Sequence, residues 1–420
     1  MSVLRLALKY LAARRLLSAL TGTVVALGVM LVVAAAALAT STKSSVMQSA
    51  GGYQLLVAAK GSPLQAVLSN LFFIEAPTGN IPIEMYRQLK SDKGVTRIVP
   101  LNMGDSYRGH TIVATTPDYF AMLGEMTGRA VRIHPENRMF QEPFEALVGA
   151  TAASNLGLKV GDRFTGIHGL INLPEDLAQP HESFPYTVVA VLEATHTPAD
   201  KAIFTPFETA WFVHHLKLPK DWEKAAGEAR HGNQEEAEAK ELTALLVQAG
   251  SYMDLVRLSA ILNKSAAAQA VFPARIVSQL IESFKIGESV VMSLSWLVML
   301  VAAFAIMISM LAATIERKRE IATLRALGAS RGVIARLVLL EAGWVGILGA
   351  AAGVAAGRGM AYLLAVQIER MSGLHLELLP SGFADIGIGF AAVALSLVAG
   401  VVPALLAYRQ DVAVHLAPPF

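Results

Sequence analysis

Charge disappears from this chain in long stretches. Leu16 to Thr42 is free of Asp, Glu, Lys and Arg and is bounded by Arg14-Arg15 and Lys43; Ser289 to Ile315 lies between Glu288 and Glu316 in the same way, and Ile386 to Tyr408 between Asp385 and Arg409. Each exceeds the roughly 20 apolar residues that cross a 30 Å hydrocarbon core. A further run, Leu337 to about Val366, is interrupted by Glu341 and Arg358. The pattern puts both near the membrane surfaces, with Arg358 snorkelling outward. The sequence therefore predicts four transmembrane helices. The first is about twice as long as the 7–15-residue apolar core of a cleaved signal, so it is expected to stay as an anchor.

Between the first and second spans the pattern changes. Short apolar runs at Tyr53–Val57, Thr111–Ala114, Ala146–Val148, Tyr186–Leu192 and Ala202–Phe204 read as strands, separated by breaks such as Ala76-Pro77-Thr78-Gly79. Asp221 to Glu241 is rich in Ala, Glu and Lys and reads as a solvated helix. A helix from about Ile276 through Ile315 is expected to feed the second span. The fold class that follows is an α-helical membrane domain of four transmembrane helices plus a mixed α/β extracytoplasmic domain inserted between helices 1 and 2. Its expected parts are residues 1–42 (N-terminus and first helix), 43–285 (the α/β domain) and 286–420 (helices 2 to 4, with a connecting segment at 316–336).

Lys and Arg set the orientation. Arg5, Lys9, Arg14 and Arg15 precede the first span, six basic residues from Arg317 to Arg336 separate the second and third, and Arg409 follows the fourth. Both termini and that connection are expected in the cytoplasm and residues 43–285 outside, in a bacterial inner membrane.

Composition agrees: the 420 residues are 54% hydrophobic and only 16% charged, with a net charge of +2 and no cysteine. Soluble domains carry about 25% charged residues. Lack of cysteine excludes a disulfide scaffold and a thiol nucleophile, and the near-neutral balance gives no footprint for nucleic acid. No Gly-Lys dipeptide occurs, so the chain has no phosphate-binding P-loop. Gly328-Ala329-Ser330-Arg331-Gly332 satisfies G-x-S-x-G, but a nucleophile elbow needs a preceding sheet strand, which this context lacks. No catalytic residue is expected on this chain.

The connecting segment is the most informative. In Glu316-Arg317-Lys318-Arg319-Glu320-Ile321-Ala322-Thr323-Leu324-Arg325-Ala326-Leu327-Gly328-Ala329-Ser330, the apolar positions Ile321, Leu324 and Leu327 recur at helical spacing between charges. Gly328 is placed to stop the helix and Ser330 to cap the next. A short amphipathic helix with a basic collar serves either as a headgroup anchor or as a ridge for a protein groove. The run E-R-x-R-E-I-x-x-L-R-A-L-G-A-S, followed by I-x-x-L and Glu341, resembles the signature of FtsX/MacB-type permeases, the membrane subunits of type VII ABC transporters. Gly149-Ala150 with Leu156–Asp162 is loosely similar to the outer domain of that family. The resemblance implies a separate ATPase subunit, carrying ATP and Mg, that docks on Glu316–Ser330, with Glu316, Arg319, Glu320, Ile321, Leu324, Arg325, Leu327 and Gly328 as coupling residues. It also implies a second permease copy, identical or a sister.

Two further features stand beside it. Gly349, Gly353 and Gly357 form a small-residue stripe, suited either to a dimer contact or to helix packing within one chain. Eight of the ten histidines fall between residues 43 and 285; His168, His181 and His215 with Asp200 are the first candidates for a zinc site, against the alternative of ordinary polar surface. The function expected is a permease subunit that passes ATP-driven motion to an outer domain handling a lipoprotein, peptide or hydrophobic small molecule. Regulation of a cell-wall hydrolase and zinc-linked transport or sensing are the alternatives. Membrane lipids and a periplasmic protein complete the expected partners.

Overall fold

In the computed structural model of the chain, residues 3–133, 137–169, 180–215, 241–372, 376–378 and 382–409 are described. The backbone divides into two compact units, one of residues 1–42, 284–366 and 376–420, the other of residues 43–283 and 367–375.

The second unit is built around β1 (Leu55–Ala59), β2 (Ile81–Pro82), β3 (Val95–Tyr107), β4 (His110–Thr115), β5 (Glu145–Val148), β6 (Arg163–His168), β7 (Pro180–Val191), β8 (Ile203–Pro206), β9 (Glu241–Leu242), β10 (Ala244–Ala249) and β11 (Ala268–Val271). Nine of these form one sheet in the order β11-β1-β10-β3-β4-β8-β5-β7-β6, and β6 also pairs with β3. That extra pairing closes β3, β4, β8, β5, β7 and β6 into a ring, from which β10, β1 and β11 extend as a wing. The 13-residue β3 serves both parts, bending at a bulge between Met103 and Asp105. Inside the ring Phe164 stacks on Tyr186 with centroids 5.2 Å apart, packed with Ile112, Val148 and Ile203.

The wing is buried on both faces. Leu56, Ala58, Val99 and Leu101 face one core, shared with the helices Pro63–Leu71 and Asp118–Thr127. Leu55, Val57, Leu245 and Val247 face the other, shared with Ile83–Ser91 and Tyr252–Lys264. Alternate side chains along a strand point to opposite faces, so a strand covered on both sides reads as a continuous apolar run, as Leu55–Ala59 does. Of the helix expected over Asp221–Glu241, residues 221–240 lie outside the described residues, and Glu241 is not helical but opens β9.

The first unit contains the apolar parts of four helices long and apolar enough to span a membrane, Arg15–Gly51, Pro273–Glu316, Arg331–Ser372 and Phe383–Arg409. Small residues let them approach closely. A Cβ on Gly28 would come 3.2 Å from the Met299 Cα, and one on Gly400 would meet the Ala342 Cβ at 2.8 Å. Thr21 donates to the Ser309 hydroxyl across the first two spans at 3.2 Å. Lipid supplies no hydrophobic drive between helices, so such close contacts and hydrogen bonds carry the packing.

The two charges inside the third span each meet a partner at the end of another span. The Arg358 guanidinium bonds Asp385, at the start of the fourth span, through Nε at 2.6 Å and Nη2 at 2.6 Å. Glu341 is buried against Arg317. Each charge is thus offset by an opposite charge brought to it by the packing of the bundle.

Candidate coupling site

After Glu316 the chain turns into the helix Lys318–Ala326. Gly328, with φ of +101°, ends that stretch in the left-handed region, where glycine carries no Cβ penalty. The helix is held from one side. Ile321 and Ala322 are buried, and Ile321 packs with Ile334 and Val338 of the third span and Ala404 and Ala407 of the fourth. Leu324 is half-buried at the edge of this cluster, whereas Leu327 is 81% exposed.

The apolar stripe therefore divides. Ile321 belongs to the membrane unit, and the face left open presents Leu327 with the exposed Arg319 and Glu320. Arg325 is half-buried and Gly328 exposed at the turn.

A charged cluster fixes the start of the helix. Arg317 Nη1 donates to both carboxylate oxygens of Glu341, at 2.9 and 3.1 Å. The guanidinium also sits 4.2 Å from the centre of the Tyr10 ring, in cation–π geometry. Arg14 pairs with Glu316. Tyr10 belongs to the helix Val3–Ala13, which buries Ala7 and leaves Leu4 and Leu8 exposed. Burial raises the Tyr10 hydroxyl above its ordinary value, and the negative charge of Glu320 adds to the rise. Arg317, Tyr10 and Arg14 are not singled out by the sequence pattern; the one available signal is Glu341, an acid within an apolar span that must find a cation.

The glycine stripe meets the first span of the same chain. A Cβ on Gly349 would lie 2.8 Å from the Val25 Cβ, one on Gly353 would lie 2.6 Å from the Val29 Cβ, and one on Gly357 would lie 2.9 Å from both the Met30 oxygen and the Val33 Cβ. This face is filled within the subunit, so it is not a free surface for a second copy.

The candidate zinc ligands sit in different settings. Asp200 is buried, and its carboxylate accepts from the Thr195 N–H at 2.9 Å, the Thr195 hydroxyl at 2.7 Å and the His196 N–H at 2.8 Å. It closes a turn, and burial outweighs those bonds to push its carboxyl up. His168 Nδ1 stands 3.4 Å from Asp105. The side chains of His181 and His215 lie outside the described residues. Among the described residues no three His, Cys, Asp or Glu side chains gather as a metal site would require.

This architecture defines a polytopic membrane protein with a mixed α/β periplasmic domain between its first and second spans. The profile of the MacB-like periplasmic core domain matches residues 18–245, more than half the chain, and that of the FtsX-like permease C-terminal domain matches residues 292–412. The chain belongs to the family of FtsX/MacB-type ABC transporter permeases. It is 35% identical over 81 residues to the ABC transporter permease YtrF of Bacillus subtilis (strain 168), a stretch that is 19% of this chain and 18% of that relative's length. Among solved structures it is similar to the periplasmic region of MacB from Actinobacillus actinomycetemcomitans, at 10% identity and a TM-score of 0.34, covering 56% of this chain and 97% of that one. It is also similar to the extracellular domain of the noncanonic ABC-type transporter YknZ from Gram-positive bacteria, at 13% identity and a TM-score of 0.30, covering 52% and 99%.

Proposed function

We propose that this chain is the passive membrane subunit of an ATP-driven machine, gripped on its cytoplasmic side by a separate ATPase and working on cargo at or beyond the outer membrane surface of the lipid bilayer. The carrying observation is the one-sided anchoring of the helix Lys318–Ala326. Ile321 and Arg317 tie it into the spans, while Leu327, Arg319 and Glu320 remain exposed for a partner. A helix loose on both sides would rotate under load without moving the spans; one buried on both sides would have nothing to offer an ATPase. The resemblance to FtsX/MacB-type permeases supports the same reading.

In this mechanism ATP draws two ATPases together, and each pulls one coupling helix. The pull enters the membrane through Arg317–Glu341 at the third span and through Ala404 and Ala407 at the fourth. The 44-residue helix Pro273–Glu316, about 66 Å long at 1.5 Å per residue, runs unbroken from just after β11 to the coupling helix and carries the motion outward. Nucleotide shifts the equilibrium only so far as the ATPases contact the two arrangements differently. The cargo class is a lipoprotein, peptide or hydrophobic small molecule, both termini lie in the cytoplasm, and a second permease copy completes the complex.

The test is ATP hydrolysis by the complex purified from its own host. Leu327→Asp, at an exposed position, leaves folding intact and removes the stimulation of hydrolysis by the permease. Unchanged stimulation would refute docking at this face. Ile321→Asp serves as the contrast, because it buries a charge in the membrane unit and lowers the yield of folded chain.

A further inference from the structure

The membrane unit holds a cavity of about 430 Å³ between its third and fourth spans. Its walls are apolar: Leu339, Gly343 and Ile347 of the third span, Val393 and Leu397 of the fourth. Leu4 of the helix Val3–Ala13 closes one end, and Arg336 stands at the rim. Gly343 keeps the groove open, since a Cβ there would already reach within 3.2 Å of the Leu397 Cδ2. Arg336 is exposed and has no ion pair or hydrogen bond among the described residues. Trp344 also lines the cavity.

We propose that this groove is a site for one anionic phospholipid. An apolar trough on the outside of a helix bundle is filled by acyl chains. The arginine at its rim selects the headgroup, because a guanidinium matches phosphate oxygens in a fork that a neutral surface lacks. A second copy of this chain is the weaker occupant. A two-fold contact through this face would bring one Arg336 towards another, with Arg5 and Lys9 of the adjoining helix adding charge of the same sign. The lipid would brace the third and fourth spans beside the residues that receive the pull of the coupling helix.

Native mass spectrometry of the full-length protein, titrated in detergent with phosphatidylglycerol or phosphatidylcholine, tests the assignment. The wild-type chain is expected to hold one phosphatidylglycerol at least tenfold more tightly than phosphatidylcholine. Arg336→Ala removes that preference, Arg336→Lys restores part of it, and Ile347→Trp, which fills the trough from its exposed wall, lowers the affinity for both lipids. Arg336 and Ile347 are exposed, so these variants keep the fold, and a monodisperse elution profile checks that. Equal affinity of the wild type and Arg336→Ala for phosphatidylglycerol overturns the proposal. So does a disulfide between two copies through Ile347→Cys, which would make the groove an interface. Either result leaves the coupling reading untouched, because ATPase stimulation through Leu327 is scored separately.

Discussion

Glu341 is the residue whose removal best tests how the coupling helix is anchored. Its carboxylate is buried at 3% exposure, and both oxygens are taken by Arg317 Nη1 at 2.9 and 3.1 Å. Two unit charges about 3 Å apart attract by roughly 5–6 kcal/mol at an effective dielectric constant near 20. The desolvation of both groups offsets much of that, so the pair itself adds little net stability. Removing one partner is another matter. Glu341→Ala leaves the Arg317 guanidinium, only 12% exposed, without its counter-charge, and losses in such cases are about 3–5 kcal/mol. The Tyr10 ring keeps a cation–π contact worth about 1 kcal/mol, so the expected loss is near the lower end, about 3 kcal/mol. Replacing both charges, Arg317→Met with Glu341→Leu, should recover all but about 1 kcal/mol, since nothing charged remains buried. Unfolding in mixed micelles with increasing dodecyl sulfate, followed by the fluorescence of Trp344 one turn away, reads both variants. If the single and double variants lose equal amounts, or the single variant loses less than about 1 kcal/mol, the ion pair does not fix the coupling helix.

Three further outcomes follow from other parts of the molecule. Gly353→Leu should lower stability in the same assay by about 1–3 kcal/mol, the range for overpacking, because its Cβ would strike the Val29 Cβ at 2.6 Å and the Ala26 backbone oxygen at 2.7 Å; an unchanged midpoint would mean the first span does not rest on this stripe. In the periplasmic unit, the hydrogen bonds of Arg257 hold the Asp92 carboxyl below its usual value, with the Gly94 N–H adding to the effect. A depressed carboxylate contributes stability above its unfolded value near pH 4, lost as pH falls through the folded value, so Arg257→Gln should lower stability slightly at pH 7 and not at pH 2; a cost that persists at pH 2 would contradict this. Asp200→Ala should lower the unfolding free energy of the full chain by about 1 kcal/mol, because it strips the acceptor from the part-buried donors of Thr195 and His196, and an unchanged stability would show that the turn holds without the carboxylate.

The membrane helices were legible because lipid leaves so little freedom: a run without charge, bounded by charge, has few other uses. Glu341 and Arg358 were harder. Their partners, Arg317 and Asp385, sit 24 and 27 residues away along the chain, and only the packed bundle brings them together. In the outer domain the apolar runs at β1, β4, β5 and β8 stood out. The long β3 did not, because Arg97, Pro100, Asn102, Gly104 and Asp105 break its pattern; it is a strand through its neighbours β10, β4 and β6 rather than by propensity. β11 was hidden for a different reason, its Ala-Gln-Ala-Val being too small and polar to signal. The glycine stripe announced a close approach but not which helix makes it. Likewise the spacing of Ile321, Leu324 and Leu327 marked a helix, while the return of the fourth span through Ala404 and Ala407 decides which of the three is covered.

Docking of an ATPase on the exposed face of the coupling helix is best probed by a photoreactive amino acid placed at Leu327 in the native membrane. The expected result is a crosslink to a polypeptide that binds ATP through its own phosphate loop, lost when the same probe stands at buried Ile321, and no hydrolysis by the purified permease alone. A probe at Leu327 that captures only lipid, or that is modified by a reagent added outside the intact inner membrane, would contradict it.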